Sequence, residues 1–110
     1  MPVIEITSHS EFLEKILNSK EPAVLDCYAA GCAPCKAIAP KINQWSEQYT
    51  DLKFYKFDVL KVEELVHELE VKAMPTFMFF KDGEKVTEIL GVDPVNIEGA
   101  IKSLLLTNPA

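Results

Sequence analysis

The sequence is short of cysteine, of basic residues and of long apolar runs. Three cysteines in 110 residues are too few for a secreted disulfide scaffold, and an odd count argues against a purely structural framework. Lysine and arginine together number 11 against 17 acidic residues, a formal net charge of −6. Nothing forms the basic stripe that nucleic-acid binding needs, so no nucleic-acid partner is expected. The acidic balance favours solubility and selects weakly against acidic partners. No apolar run approaches the length of a membrane span, so no membrane association is expected. Met1-Pro2-Val3-Ile4-Glu5-Ile6 carries no basic region followed by a long apolar stretch, so no secretory signal is expected. A reducing, cytoplasmic compartment is the consistent expectation. Internal repeats, low-complexity tracts and linkers are missing as well, which predicts a single domain over residues 1–110.

What is present is ordinary globular material, 48% apolar and 25% charged, enough for one core and unlike a disordered chain. Residues 3–6 read as a short strand. Ser8 and Glu11 offer a capping box. Phe12, Leu13, Ile16 and Leu17 form the apolar face of a helix ending near Asn18. After a turn at Lys20-Glu21-Pro22, residues 23–29 are apolar at nearly every position, as in a strand covered on both faces. A helix is predicted from Cys32 to about Tyr49, with Ile38, Ile42, Trp45 and Tyr49 as its stripe and a kink at Pro40. Residues 53–59 alternate as a strand, and Val62, Leu65, Val66 and Leu69 match a helical face. Strands over 76–81 and 85–90 are joined by Asp82-Gly83, a hairpin signal. Pro94 suits the first turn of a last helix. Ile97, Ile101, Leu104 and Leu105 face its core side, and Leu104-Leu105-Leu106 is predicted to be its buried end. The order β-α-β-α-β-α-β-β-α implies an α/β fold, a mixed sheet with helices on both faces.

The chemistry sits in Gly31-Cys32-Ala33-Pro34-Cys35, at the junction of a predicted strand and a predicted helix. Unpaired N–H groups and partial positive charge at a helix start favour the thiolate at Cys32, and the thiolate is the nucleophile of disulfide exchange. The second thiol, one turn on, can close an internal disulfide and release whatever Cys32 has attacked. The competing readings are half a zinc site, for which Cys27, His9 and His67 lack ligand-like spacing, and an iron–sulfur cluster shared across a dimer. No metal or other cofactor is expected. Cys27 alternates with Asp26 along its strand and should behave as a small core hydrophobe. Trp45 should be core. His9 and His67 should be solvated.

Asp26, Cys32-Ala33-Pro34-Cys35-Lys36, Pro40, Lys56, Asp58, Met74-Pro75-Thr76, Lys81-Asp82-Gly83 and Gly91 occur in one order over nearly the whole chain, and in that combination the sequence resembles the thioredoxin family. Trp45-Ser46-Glu47-Gln48-Tyr49 and Gly91-Val92-Asp93-Pro94 are similar to single-domain eukaryotic members of fungal type. The resemblance implies a central sheet of five strands flanked by four helices, and a protein-disulfide reductase working through a Cys32/Cys35 dithiol. Cys32 would be the exposed attacking cysteine and Cys35 the resolving one. Pro75 would be cis and face the dithiol. The backbone of Met74 would then pair with an extended substrate segment. Asp26 would lie under the dithiol with a raised pKa and pass the Cys35 proton, with Lys56 as its neighbour. Gly31, Ala33, Pro34, Met74, Pro75 and Gly91 would form the substrate surface. Implied partners are disulfide-containing proteins and a thioredoxin reductase, with the chain acting as a monomer. Four positions depart from the family pattern. Gly31 stands where the family has Trp, and Ala33 where it has Gly. Leu60 replaces an acidic residue, and Cys27 an aromatic one. The first two bear on redox potential, substrate range and reductase pairing. They also support an alternative in which the fold serves as a binding module around Gly31, Ala33-Pro34 and Met74-Pro75.

Overall fold

The computed structural model describes residues 3–106. Its strands are β1 (Val3–Glu5), β2 (Ala23–Tyr28), β3 (Lys53–Asp58), β4 (Thr76–Lys81) and β5 (Glu84–Leu90). They form one sheet in the order β1-β3-β2-β4-β5. β3 pairs in parallel with β1 and with β2, while β4 runs antiparallel to β2 and to β5. The helices are α1 (His9–Phe12, continued by a π-helical segment over Leu13–Leu17), α2 (Ala33–Gln48), α3 (Glu63–Leu69) and α4 (Pro94–Leu106). The five-stranded mixed sheet with four helices is the architecture the sequence implies.

β2 is the spine, buried from Ala23 to Cys27 because sheet neighbours and helices cover it on every side. Side chains alternate across it. Leu25 and Cys27 join Phe12, Ile16, Phe57, Leu65 and Met78 in one core layer. Val24 joins Ile38, Ile42, Trp45, Phe77, Ile97 and Ile101 in the other. Each such apolar side chain contributes about 1.5–3 kcal/mol on full burial. Asp26 is a carboxylate set into the second, α2-facing side of this spine, and that placement governs its chemistry.

The local expectations hold with instructive differences. Ser8 caps α1, accepting from the Glu11 N–H at 3.1 Å. The Glu11 carboxylate does not return to Ser8. It accepts from the Thr7 N–H at 2.7 Å and the Thr7 hydroxyl at 2.6 Å, so the box is only half formed. The helix then widens, Asn18 N–H donating to Leu13 O at 2.8 Å, five residues back. α2 continues past Pro40 to Gln48. At the hairpin Asp82 and Gly83 have φ of 53° and 80°, the paired left-handed geometry of a type I′ turn. A Cβ on Gly83 would lie 2.4 Å from Leu17 O, so the hairpin tip and the end of α1 meet where only glycine fits. The predicted buried end of α4 is corrected: Leu104 is buried, Leu105 half-buried, and Leu106 82% exposed. Its side chain follows the helical stripe out to solvent. No helix among the described residues is long and apolar enough to cross a membrane.

Candidate active site

The carboxyl end of β2 delivers the chain to the start of α2. Cys32 N–H donates to Ala29 O at 3.1 Å, closing the connecting turn. Cys32 is itself the N-cap of α2, extended at φ −85° and ψ 111°. Pro34 fits the first turn because its missing N–H would have found no helical partner. The capping acceptor is unusual: Cys35 N–H donates at 3.2 Å to Sγ of Cys32, where a Ser or Asp oxygen would ordinarily stand. The two cysteines are bridged, with Cα atoms 5.3 Å apart, inside the normal disulfide range. On reduction, the same N–H and the helix start favour a thiolate at Cys32. Exposure separates the pair. Cys35 is buried, Cys32 is half-buried, and Gly31, Ala33 and Pro34 beside it are exposed.

A second loop closes on the disulfide from 42 residues along the chain. The Met74–Pro75 peptide bond is cis. Sγ of Cys32 lies 3.8 Å from the Met74 carbonyl oxygen. Pro75 is buried, whereas Met74 is 42% exposed. Two contacts hold the loop. Gly91 N–H donates to Pro75 O at 2.9 Å, and the Thr76 hydroxyl donates to Ala73 O at 2.6 Å. Gly91 has φ +92°, a left-handed conformation that glycine adopts without strain. Cys32, Met74, Pro75 and Gly91 thus converge from three separate segments.

Behind the disulfide lies a cavity of about 230 Å³ lined by Asp26, Tyr28, Cys35, Lys36 and Lys56 together with small alanines. Asp26 is 8% exposed, and its Oδ1 has no hydrogen-bond partner among the described residues. Burial raises its pKa to about 7 against the opposing pull of Lys56, and the negative charge of Glu5 adds to the rise. A carboxyl in that range can accept and return a proton near neutral pH. Lys56 stands opposite Asp26 in the β2–β3 register. Its ion-pair partner, however, is Glu5, at 3.9 Å. Tyr28 OH donates to the other Glu5 oxygen at 2.7 Å. Burial and this bond push the Tyr28 hydroxyl above its usual range.

The structure brings Asp26, Lys56 and Cys35 together along the cavity and Met74 against Cys32, with Gly91 reaching the site through its bond to Pro75. Sequence reasoning missed Glu5 and Tyr28. Tyr28 follows Asp26 by two positions and so shares its face, a signal that was available. Glu5 needed the parallel register of β1, which its three residues do not announce. Cys27 is fully buried on the opposite face, and burial drives its thiol far above the ordinary range. Trp45 is 1% exposed. His67 is exposed. His9 is at the surface and pairs there at 2.5 Å with Glu68 of α3.

Comparison with known proteins agrees with this geometry. The thioredoxin family model matches residues 3–103. Thioredoxin Asp f 29 of Aspergillus fumigatus is 47% identical over 103 residues, covering 92% of this chain and 94% of its own. Thioredoxin-1 of Schizosaccharomyces pombe is 43% identical, covering 94% of this chain and 99% of its own. The crystal structure of spinach chloroplast thioredoxin f superposes with a TM-score of 0.88 at 31% identity, over 94% of each chain. Sequence and fold point the same way across nearly the whole length. The chain belongs to the thioredoxin family, and its bridged Cys32–Cys35 pair makes it a thiol–disulfide oxidoreductase that reduces disulfides in proteins.

Proposed function

We propose that Cys32 attacks the substrate disulfide, that Cys35 resolves the adduct, and that Asp26 takes the Cys35 proton, with Lys56 as its electrostatic neighbour. The Cys32 thiolate forms a bond to one substrate sulfur and expels the other as a thiolate, giving a mixed disulfide. The Cys35 thiol gives its proton to the Asp26 carboxylate across the shared cavity. The Cys35 thiolate then attacks Sγ of Cys32, releasing the second substrate thiolate and closing the Cys32–Cys35 disulfide. Two electrons pass from the dithiol to the substrate. The observation that carries this reading is the donation of Cys35 N–H to Sγ of Cys32, with Cys32 the partly exposed member of the pair.

Gly31, Ala33, Pro34, Met74, Pro75 and Gly91 form the substrate surface in this reading. No hydrogen bond within the described residues occupies the Met74 N–H. That group and the Met74 carbonyl can pair with an extended segment as an added strand. The chain works as a single-domain monomer in the cytoplasm and is recharged by a thioredoxin reductase. Similarity to single-domain fungal thioredoxins supports these points. The test is reduction of insulin disulfides by the purified protein, first with dithiothreitol and then with thioredoxin reductase as electron source. Turnover with both is expected. Turnover with dithiothreitol alone would remove the reductase from the account. Absence of both would favour the binding-module reading.

A further inference from the structure

Three charged side chains stand abreast on one face of the sheet. Glu5 on β1 is opposite Lys56 on β3, and Lys56 is opposite Asp26 on β2. The lysine is therefore flanked by two carboxylates and must divide itself between them. It favours Glu5, at 3.9 Å. Glu5 is in turn fixed through its second oxygen by Tyr28 OH at 2.7 Å, and the Lys56 ammonium stands 5.7 Å from the Tyr28 ring centroid. Asp26, without an ion-pair partner among the described residues, keeps Oδ1 buried and unpaired. We propose that Glu5 is a positioning residue for proton transfer at Asp26: anchored by Tyr28, it holds the Lys56 ammonium off the Asp26 carboxyl and so keeps that carboxyl able to carry a proton near neutral pH.

The physical logic is competition for one cation. An ammonium brought against a carboxylate lowers the carboxylate's pKa, and a like charge nearby raises it. Glu5 acts in both ways, by withholding Lys56 and by adding its own negative charge. The other groups around Asp26 are Tyr28, Cys35, Lys36 and Phe77, and Lys36 is the one further cation among them. Tyr28 is neutral and committed to Glu5. Cys35 and Lys36 of α2 line the cavity beside it. On β4, the residue opposite Asp26 is the apolar Phe77. Glu5 and Lys56 are each more than a third exposed, so a change at Glu5 can be made without disturbing the core.

The proposal rests on the reading of Asp26 as proton carrier, and its test separates the two. The Asp26 carboxyl is titrated by carbon-13 NMR in the oxidised full-length protein, in the natural sequence, Glu5→Gln, Lys56→Met and the double variant. Turnover against insulin is followed across pH for the same four. Glu5→Gln keeps an acceptor for Tyr28 OH but releases Lys56. The Asp26 midpoint should fall by about one pH unit, and the acid limb of turnover should move with it. In the Lys56→Met background, Glu5→Gln should shift the midpoint by less than half as much. An unmoved midpoint, or an equal shift in both backgrounds, overturns the proposal. A midpoint that moves through Lys56 while the turnover profile stays still upholds the positioning by Glu5 and removes Asp26 from proton transfer.

Discussion

The backbone N–H of Cys35 donates to Sγ of Cys32 across 3.2 Å in the bridged pair, and on reduction the same N–H is placed to stabilise a thiolate there, as the proposed attacking role of Cys32 requires. Mild alkylation of the reduced protein should therefore label Cys32 first, with a reactivity midpoint below the roughly 8.5 of a free thiol. Cys27, fully buried, should stay unlabelled until the chain unfolds. Peptide mapping after iodoacetamide treatment across pH reads both. Faster labelling of Cys35 or Cys27 would contradict the assignment.

Asp26 should cost the fold stability as pH rises. Its folded pKa is about 7 against an ordinary 3.8. Between those values the folded chain binds the proton and the unfolded chain does not, so stability falls with rising pH and levels off above about 7. Asp26→Asn removes this dependence. Urea unfolding at pH 5 and pH 8 should show the natural sequence losing about 3 kcal/mol relative to Asp26→Asn over that interval. A constant difference at the two pH values would mean that Asp26 is not held protonated by its surroundings.

Gly31 leaves open the wall that the family's Trp would fill. A Cβ there meets no atom within 4 Å, so Gly31→Trp should fold without strain. Fixing a free loop residue costs about 1–2 kcal/mol, and 1.4 kcal/mol is a factor of about ten. Gly31→Trp should accordingly raise kcat/KM for insulin, by up to about tenfold, with the Cys32 alkylation midpoint little changed. Equal rates for the two forms would show that the rest of the surface already supplies the missing wall.

Gly83 is a pure stability test far from the dithiol chemistry. Gly83→Ala places a methyl against Leu17 O at a backbone φ of +80°. A loss of about 2 kcal/mol or more is expected, read as a lowered urea midpoint, with insulin reduction retained under native conditions. An unchanged midpoint would mean that the α1–hairpin contact relaxes freely.

Much of this was legible in the sequence, for reasons particular to each element. The nearly continuous apolar run of β2, broken only by Asp26, reads as a strand covered on both faces, and the stripe Ile38, Ile42, Trp45 as one side of a helix. Asp82-Gly83 named its own turn. The π-helical widening after Phe12 was hidden because Leu13, Ile16 and Leu17 fit either helical period. The Glu11 carboxylate went to Thr7 because side-chain rotamers, not spacing, choose between adjacent donors. At the site, Cys32 and Cys35 announced themselves through spacing, whereas Asp26, Lys56, Met74, Pro75 and Gly91 entered through the family resemblance. Glu5 came by neither route. Its place beside Lys56 follows from strand register, which pairs residues 51 positions apart and leaves no local trace.

The central claim is that the buried Cys35 thiol resolves what the half-buried Cys32 thiolate attacks, and Cys35→Ser tests it most directly. The variant, mixed with reduced-and-blocked and with disulfide-bonded insulin, is run on non-reducing gels and the adduct is mapped by mass spectrometry. The account expects a mixed disulfide from Cys32 to accumulate only with disulfide-bonded insulin and to persist until dithiothreitol is added. An adduct carried by Cys27, or rapid release of insulin thiols without accumulation, would contradict it.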